Sequence, residues 1–151
     1  MGMRKPAIFS AWRRILLGYR PFLSIEITKE CPLKCPGCYA YGQEHLGGNR
    51  SLKDLSEWRG DELVRRVLLL VRKHRPIHVS IVGGEPLVRC REVTAIISHL
   101  DAVGIEVQVV TSAVRPLPDE WRPFSNLHLV VSVDGLSPEH DIRRAPATYD
   151  R

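Results

Sequence analysis

The hydrophobic pattern of this 151-residue chain changes period along its length, and that alternation restricts the fold more than any single residue does. Leu23, Ile25 and Ile27 alternate with Ser24, Glu26 and Thr28, as in a strand with one apolar face. After a long glycine-containing loop, Leu63, Val64, Val67, Leu68 and Val71 share one face of a helix over 61–74. Asp61 is its expected N-cap, Arg72, Lys73 and His74 suit the dipole of its last turn, and Pro76 stops it. The unit then repeats. A β-rich stretch at 77–82 is followed by a helix marked by Val93, Ile96, Ile97, Leu100 and Val103, which closes at Gly104 before a strand at 105–110. The next connection carries Pro116, Pro118 and Pro123, with room for a turn or two of helix near Glu120 and Trp121, and a fourth strand spans 127–133. Strands separated by helices imply successive βαβ units and a parallel sheet.

A flat sheet covered by helices on both faces has strands that are apolar on both sides. Here one face of each strand is polar: Ser24, Glu26 and Thr28; His78 and Ser80; Gln108 and Ser112; His128, Ser132 and Asp134. The expected architecture is therefore an α/β partial barrel of TIM-like type, with about four parallel strands and helices on the outer face. Such a barrel holds its ligand near the C-terminal strand ends. Some of these polar side chains are expected to be satisfied within the core.

Two segments are expected: an amphipathic helical extension at 1–21 and the β/α core at 22–151. In the first, Ile8, Phe9, Trp12, Ile15, Leu16 and Tyr19 fall at helical spacing up to Gly18, with a face expected to pack on the main body. A composition of 44% hydrophobic and 26% charged residues is ordinary for a globular domain of this length. The formal charge of +5 is spread in pairs without a basic run interleaved with aromatics, so no nucleic-acid partner is expected. The longest apolar run, 67–71, is far short of a membrane span, and Arg13 and Arg14 interrupt the N-terminal apolar residues. The protein reads as cytoplasmic.

Three of the four cysteines, Cys31, Cys35 and Cys38, fall within eight residues at C-x3-C-x2-C, directly after the first strand. A disulfide framework would spread its cysteines, so metal binding is the stronger reading. A structural zinc site needs four ligands, and only His45 or Cys90 could supply the last, neither at a usual spacing. An iron-sulfur cluster held by three thiolates keeps one iron open for a substrate or cofactor. Cys90 reads as a small buried hydrophobe, and Glu44, His45 and His140 as loop surface.

The C-x3-C-x2-C stretch together with "IVGGEP" after the next strand resembles the radical S-adenosylmethionine (radical SAM) enzymes. The resemblance implies that Cys31, Cys35 and Cys38 hold a [4Fe-4S] cluster whose open iron chelates S-adenosylmethionine. It further implies that Gly83, Gly84, Glu85 and Pro86 meet the methionine amino group, the Glu85 carboxylate accepting from the ammonium. The implied reaction is reductive cleavage of S-adenosylmethionine to a 5′-deoxyadenosyl radical that abstracts hydrogen from a substrate. An electron donor such as flavodoxin or ferredoxin would serve as redox partner. The family often has an aromatic residue where Gly37 stands, and Tyr39 is expected to take over the adenine-side contact.

Further along, "SVDG" and "EHDIRR" resemble the sulfatase-maturing and peptide-modifying branch, which implies a peptide substrate. Carried over, Thr111 and Ser112, Ser132 and Asp134, and Arg143 or its neighbour Arg144 would help hold S-adenosylmethionine. The family core has six strands, so the chain is expected to be truncated after the fourth, or completed by another chain. The alternative reading, a non-catalytic zinc or iron-sulfur module, gives GGEP no role.

Overall fold

The computed structural model of the chain describes residues 5–146 and 149–150. The elements run α1 (Lys5–Leu16), β1 (Arg20–Glu26), α2 (Gly60–His74), β2 (Pro76–Val82), α3 (Cys90–Ala102), β3 (Glu106–Thr111), β4 (Leu127–Val131) and α4 (Ser137–Arg143). The strands form one parallel sheet in the order β1-β2-β3-β4. This is the α/β arrangement expected from the alternating periods.

Pairing sets Ser24 beside Ser80, Ser80 beside Gln108 and Gln108 beside His128, so the polar residues make one row across a single face. On the opposite face, Ile25, Ile81 and Val109 form an aligned apolar row, as do Leu23, Val79 and Val107. These residues pack against Leu63, Val67 and Val71 of α2 and Val93, Ile96, Ile97 and Leu100 of α3. Burial of this apolar surface holds the helices to one side of the sheet. The C-terminal strand ends are thereby left for long loops.

Several local expectations differ from the structure. Asp61 does not cap α2: the helix starts at Gly60, whose N–H donates to Glu92 Oε1 of α3 at 2.8 Å. A side chain from the next helix satisfies the orphan donor, a substitution no local pattern announces. β1 begins at Arg20, inside the segment assigned to the extension. The apolar side of α1 is not covered by the described residues, with Phe9 83%, Trp12 62% and Leu16 82% exposed. Just after α1, the Tyr19 ring meets the Arg14 guanidinium of that helix at 4.8 Å and the Arg75 guanidinium after α2 at 4.2 Å, linking α1 to the sheet domain. A fourth helix, not marked out by the hydrophobic pattern, begins at Ser137 with Pro138 in its first turn. The expected core end at Arg151 lies outside the described residues. Among those described, no helix is long and apolar enough to cross a membrane.

Candidate active site

The cysteine loop leaves β1 at its C-terminal end and is clamped at once to the end of β2. Gly84 N donates to Thr28 O and Glu85 N to Glu30 O, both at 2.8 Å. The contact is so close that a Cβ at Gly83 would come within 2.6 Å of Thr28 O, and one at Gly84 would collide with the Glu30 carbonyl. The two glycines are therefore required by loop-to-loop packing. Further on, Cys38 N donates to Cys35 O at 3.3 Å, and the turn passes through Gly37 at φ 68. That left-handed position suits glycine and accounts for its presence where an aromatic residue is frequent.

Burial pushes the Cys31 thiol above its ordinary pKa. Burial also pushes Cys35 up, opposed by the nearby Arg144. Among the described residues, no three His, Cys, Asp or Glu side chains converge as the ligands of one ion would. The three thiols are instead set around the edge of a shared cavity. Three sulfur donors on one loop are soft ligands suited to an iron-sulfur cluster.

Glu85 is 1% exposed. Its Oε1 accepts from Leu87 N at 3.0 Å and Thr111 Oγ1 at 2.6 Å, and its Oε2 from Ser112 N at 2.9 Å and Ser112 Oγ at 2.5 Å. An ionised carboxylate has about four acceptor sites, and here four are taken. Thr111 continues the Val107 and Val109 side of β3, and its hydroxyl points to Glu85.

A second network, centred on the buried Arg89 and Thr28, was not expected from the sequence. Arg89, 7% exposed, donates from Nη2 to Glu57 Oε1 at 2.7 Å and pairs with Glu30 Oε1 at 2.8 Å. Glu57 also accepts from Thr28 Oγ1 at 2.7 Å, and Glu30 is paired with Arg59. Burial raises the Glu57 carboxyl, and bonds from Thr28 and Arg89 outweigh it, leaving the group below the usual carboxylate range. Tyr41 Oη completes the support by donating to Lys29 O at 2.9 Å.

At the other side of the cavity, Arg144 Nε donates to Asp134 Oδ2 at 2.7 Å and Asp134 N donates to His140 Nδ1 at 3.3 Å. His140, expected on a loop surface, is a buried residue of α4. His45 is also not free surface, since its Nε2 lies 2.9 Å from Glu26 Oε1 and its ring meets Tyr39 edge-on. Cys90 is half-buried at the start of α3 and packs against the core. Lys34 N donates to Ala145 O at 2.7 Å, tying the cysteine loop to the segment after α4.

One cavity of about 280 Å³ gathers these parts. Cys31, Cys35, Cys38 and Tyr39 line it with Gly83, Gly84, Glu85, Thr111, Ser112, Ser132, Asp134 and Arg143. Of the residues that the family resemblance assigns to the cluster and S-adenosylmethionine, only Pro86 is not in the lining; it is buried at the start of a 3-10 turn. Arg144 lines the cavity beside Arg143, so both of the adjacent arginines reach it.

A β/α sheet with a three-thiol loop after β1 and Gly-Gly-Glu-Pro after β2 defines a class, and the profile of the Radical SAM superfamily matches residues 25–151. The chain belongs to that family of enzymes, whose cofactors are a [4Fe-4S] cluster and S-adenosylmethionine. It is similar to PqqA peptide cyclase of Bradyrhizobium diazoefficiens, 33% identical over 117 residues, covering 74% of this chain and 28% of the relative. It is also similar to 7-carboxy-7-deazaguanine synthase of Hyperthermus butylicus, 32% identical over 101 residues, covering 62% of this chain and 37% of the relative. Among solved structures, Streptococcus suis SuiB bound to S-adenosylmethionine shares the fold, with a TM-score of 0.62 at 19% identity over 89% of this chain and 30% of that one. The chain spans about a third of the length of these proteins or less.

Proposed function

We propose that this chain carries the cluster and S-adenosylmethionine site of a radical SAM enzyme, with Cys31, Cys35 and Cys38 as the cluster ligands. The observation that carries the reading is the meeting of three thiols, the GGEP stretch and two arginines in one cavity at the C-terminal strand ends. The bound groups would supply one-electron cleavage of S-adenosylmethionine and hydrogen abstraction from the substrate.

The chain's own residues bind and shield. Arg143 and Arg144 offer guanidinium groups to a carboxylate at the mouth. Val82 and Val110 give the cavity an apolar wall that keeps water from a reactive centre. Tyr39 supplies a ring for the adenine side. With the Glu85 oxygens already occupied, the acceptors left on the stretch are the Gly83 and Gly84 carbonyls, neither of which accepts a hydrogen bond among the described residues. A peptide is the substrate class we favour, supported by the PqqA peptide cyclases of three organisms among the relatives. A ferredoxin or flavodoxin would deliver the electron.

Anaerobic reconstitution tests the reading. About four iron and four sulfide per chain are expected, with a brown colour that fades in air. Stoichiometric zinc without cluster absorbance would overturn it in favour of a structural metal module.

A further inference from the structure

We propose that Glu85 is a positioning residue that locks the ends of β2 and β3 to the cysteine loop, and that its carboxylate does not itself receive the ligand's ammonium group. The inference rests on the radical SAM reading for what the lock serves, and on the hydrogen bonds alone for its existence.

The side chain and the backbone of Glu85 hold different elements. The carboxylate takes both hydroxyls at the end of β3, from Thr111 and Ser112, together with the Ser112 amide. Thr111 Oγ1 accepts in turn from Ala113 N at 3.0 Å, and Ala113 sits at φ 53, a strained position for a residue with a Cβ. Meanwhile the Glu85 amide and its neighbour Gly84 hold Glu30 and Thr28, directly before Cys31. One residue thus bridges the strand ends and the first thiol. An incoming ammonium group would have to displace one of these four bonds and leave a buried or half-buried hydroxyl or amide donor without its acceptor.

A lock and a direct contact lead to different outcomes. If Glu85 touches only the ligand, its loss weakens S-adenosylmethionine binding and leaves the cluster undisturbed. If it locks the loops, cluster retention and ligand binding fall together, and loss of the Thr111 hydroxyl reproduces a smaller version of both.

The experiment compares Glu85→Ala, Thr111→Val and Thr111→Ser in the anaerobically reconstituted protein. Cluster loss is followed by absorbance after adding a chelator, and S-adenosylmethionine affinity by calorimetry. The expected result is cluster loss faster by roughly tenfold in Glu85→Ala and roughly threefold in Thr111→Val, with parallel losses of affinity and near-parental behaviour in Thr111→Ser. Thr111→Val keeps the side-chain volume, so it reports even where Glu85→Ala folds poorly. A Glu85→Ala protein that keeps its cluster as long as the parent while losing affinity would overturn the lock.

Hydrogen exchange on the cluster-free chain separates this failure from failure of the family reading. The Leu87 and Ser112 amides should exchange slowly in the parent and at least tenfold faster in Glu85→Ala, whether or not a cluster ever forms. Fast exchange of both amides in the parent would also overturn the lock.

Discussion

The two sides of the cavity are built differently. At the ends of β1, β2 and β3, the ligand-bearing loops are held by the buried Glu85 with four acceptor bonds and by the buried Arg89, which pairs with the partly buried Glu57 and the more exposed Glu30. At the end of β4 and along α4, the fastening is the half-exposed pair of Asp134 and Arg144, flanked by exposed Val133, Leu136 and Ile142. Buried charge-assisted bonds lose much when one partner goes, whereas pairs in contact with water lose little. The difference teaches that Cys31 and GGEP are placed by the fold itself. The arginines sit on a surface that can adjust to what binds there.

Substitutions can break this contrast, and the cysteines should have the largest effect. Single changes of Cys31, Cys35 or Cys38 to Ala should abolish cluster formation by iron analysis, while Cys90→Ala should retain it. Loss of iron in the Cys90 variant would show the ligand assignment to be wrong. Next, Arg89→Ala should destabilise the chain by about 3 kcal/mol in denaturant unfolding, because it removes a buried guanidinium and leaves the largely buried Glu57 carboxylate, 16% exposed, without its cation. A change below about 1 kcal/mol would place this network with the surface pairs.

The same network has a pH signature. Glu57 is depressed in the folded chain, so its contribution to stability is present above the unfolded-state value near 4.5 and fades as pH falls through the lower folded value. Acid unfolding of Glu57→Gln should therefore show a flatter loss of stability below about pH 4.5 than the parent. Equal slopes would contradict the depressed carboxyl. The smallest stability effect is expected at Arg144→Ala, under about 1 kcal/mol, alongside a weakened affinity for S-adenosylmethionine measured by calorimetry. A large loss of stability would erase the distinction between the two sides.

The strands and the inner helices were legible because their apolar residues recur at fixed periods, and the thiols and GGEP because they are contiguous. Arg89, Glu57 and Thr28 were not, since they meet across intervals of about thirty residues and each alone reads as surface or as a strand-end polar group. Glu85 was legible as a site carboxylate, but its protein partners were not: only the register of β3 turns Thr111 and Ser112 toward it. The start of α4 had a signal in Ser137-Pro138-Glu139, which suits a helical first turn. The uncovered face of α1 had none, because an apolar stripe does not say what it packs against.

The central claim is that three thiolates leave an open iron for S-adenosylmethionine. The direct measurement is the EPR spectrum of the reduced, reconstituted protein with and without that ligand. A [4Fe-4S]⁺ signal that shifts on addition of S-adenosylmethionine, and that is absent in Cys31→Ala, is the expected result. A signal unchanged by saturating ligand would contradict the account, since it would mean that the cluster has no open position facing the cavity.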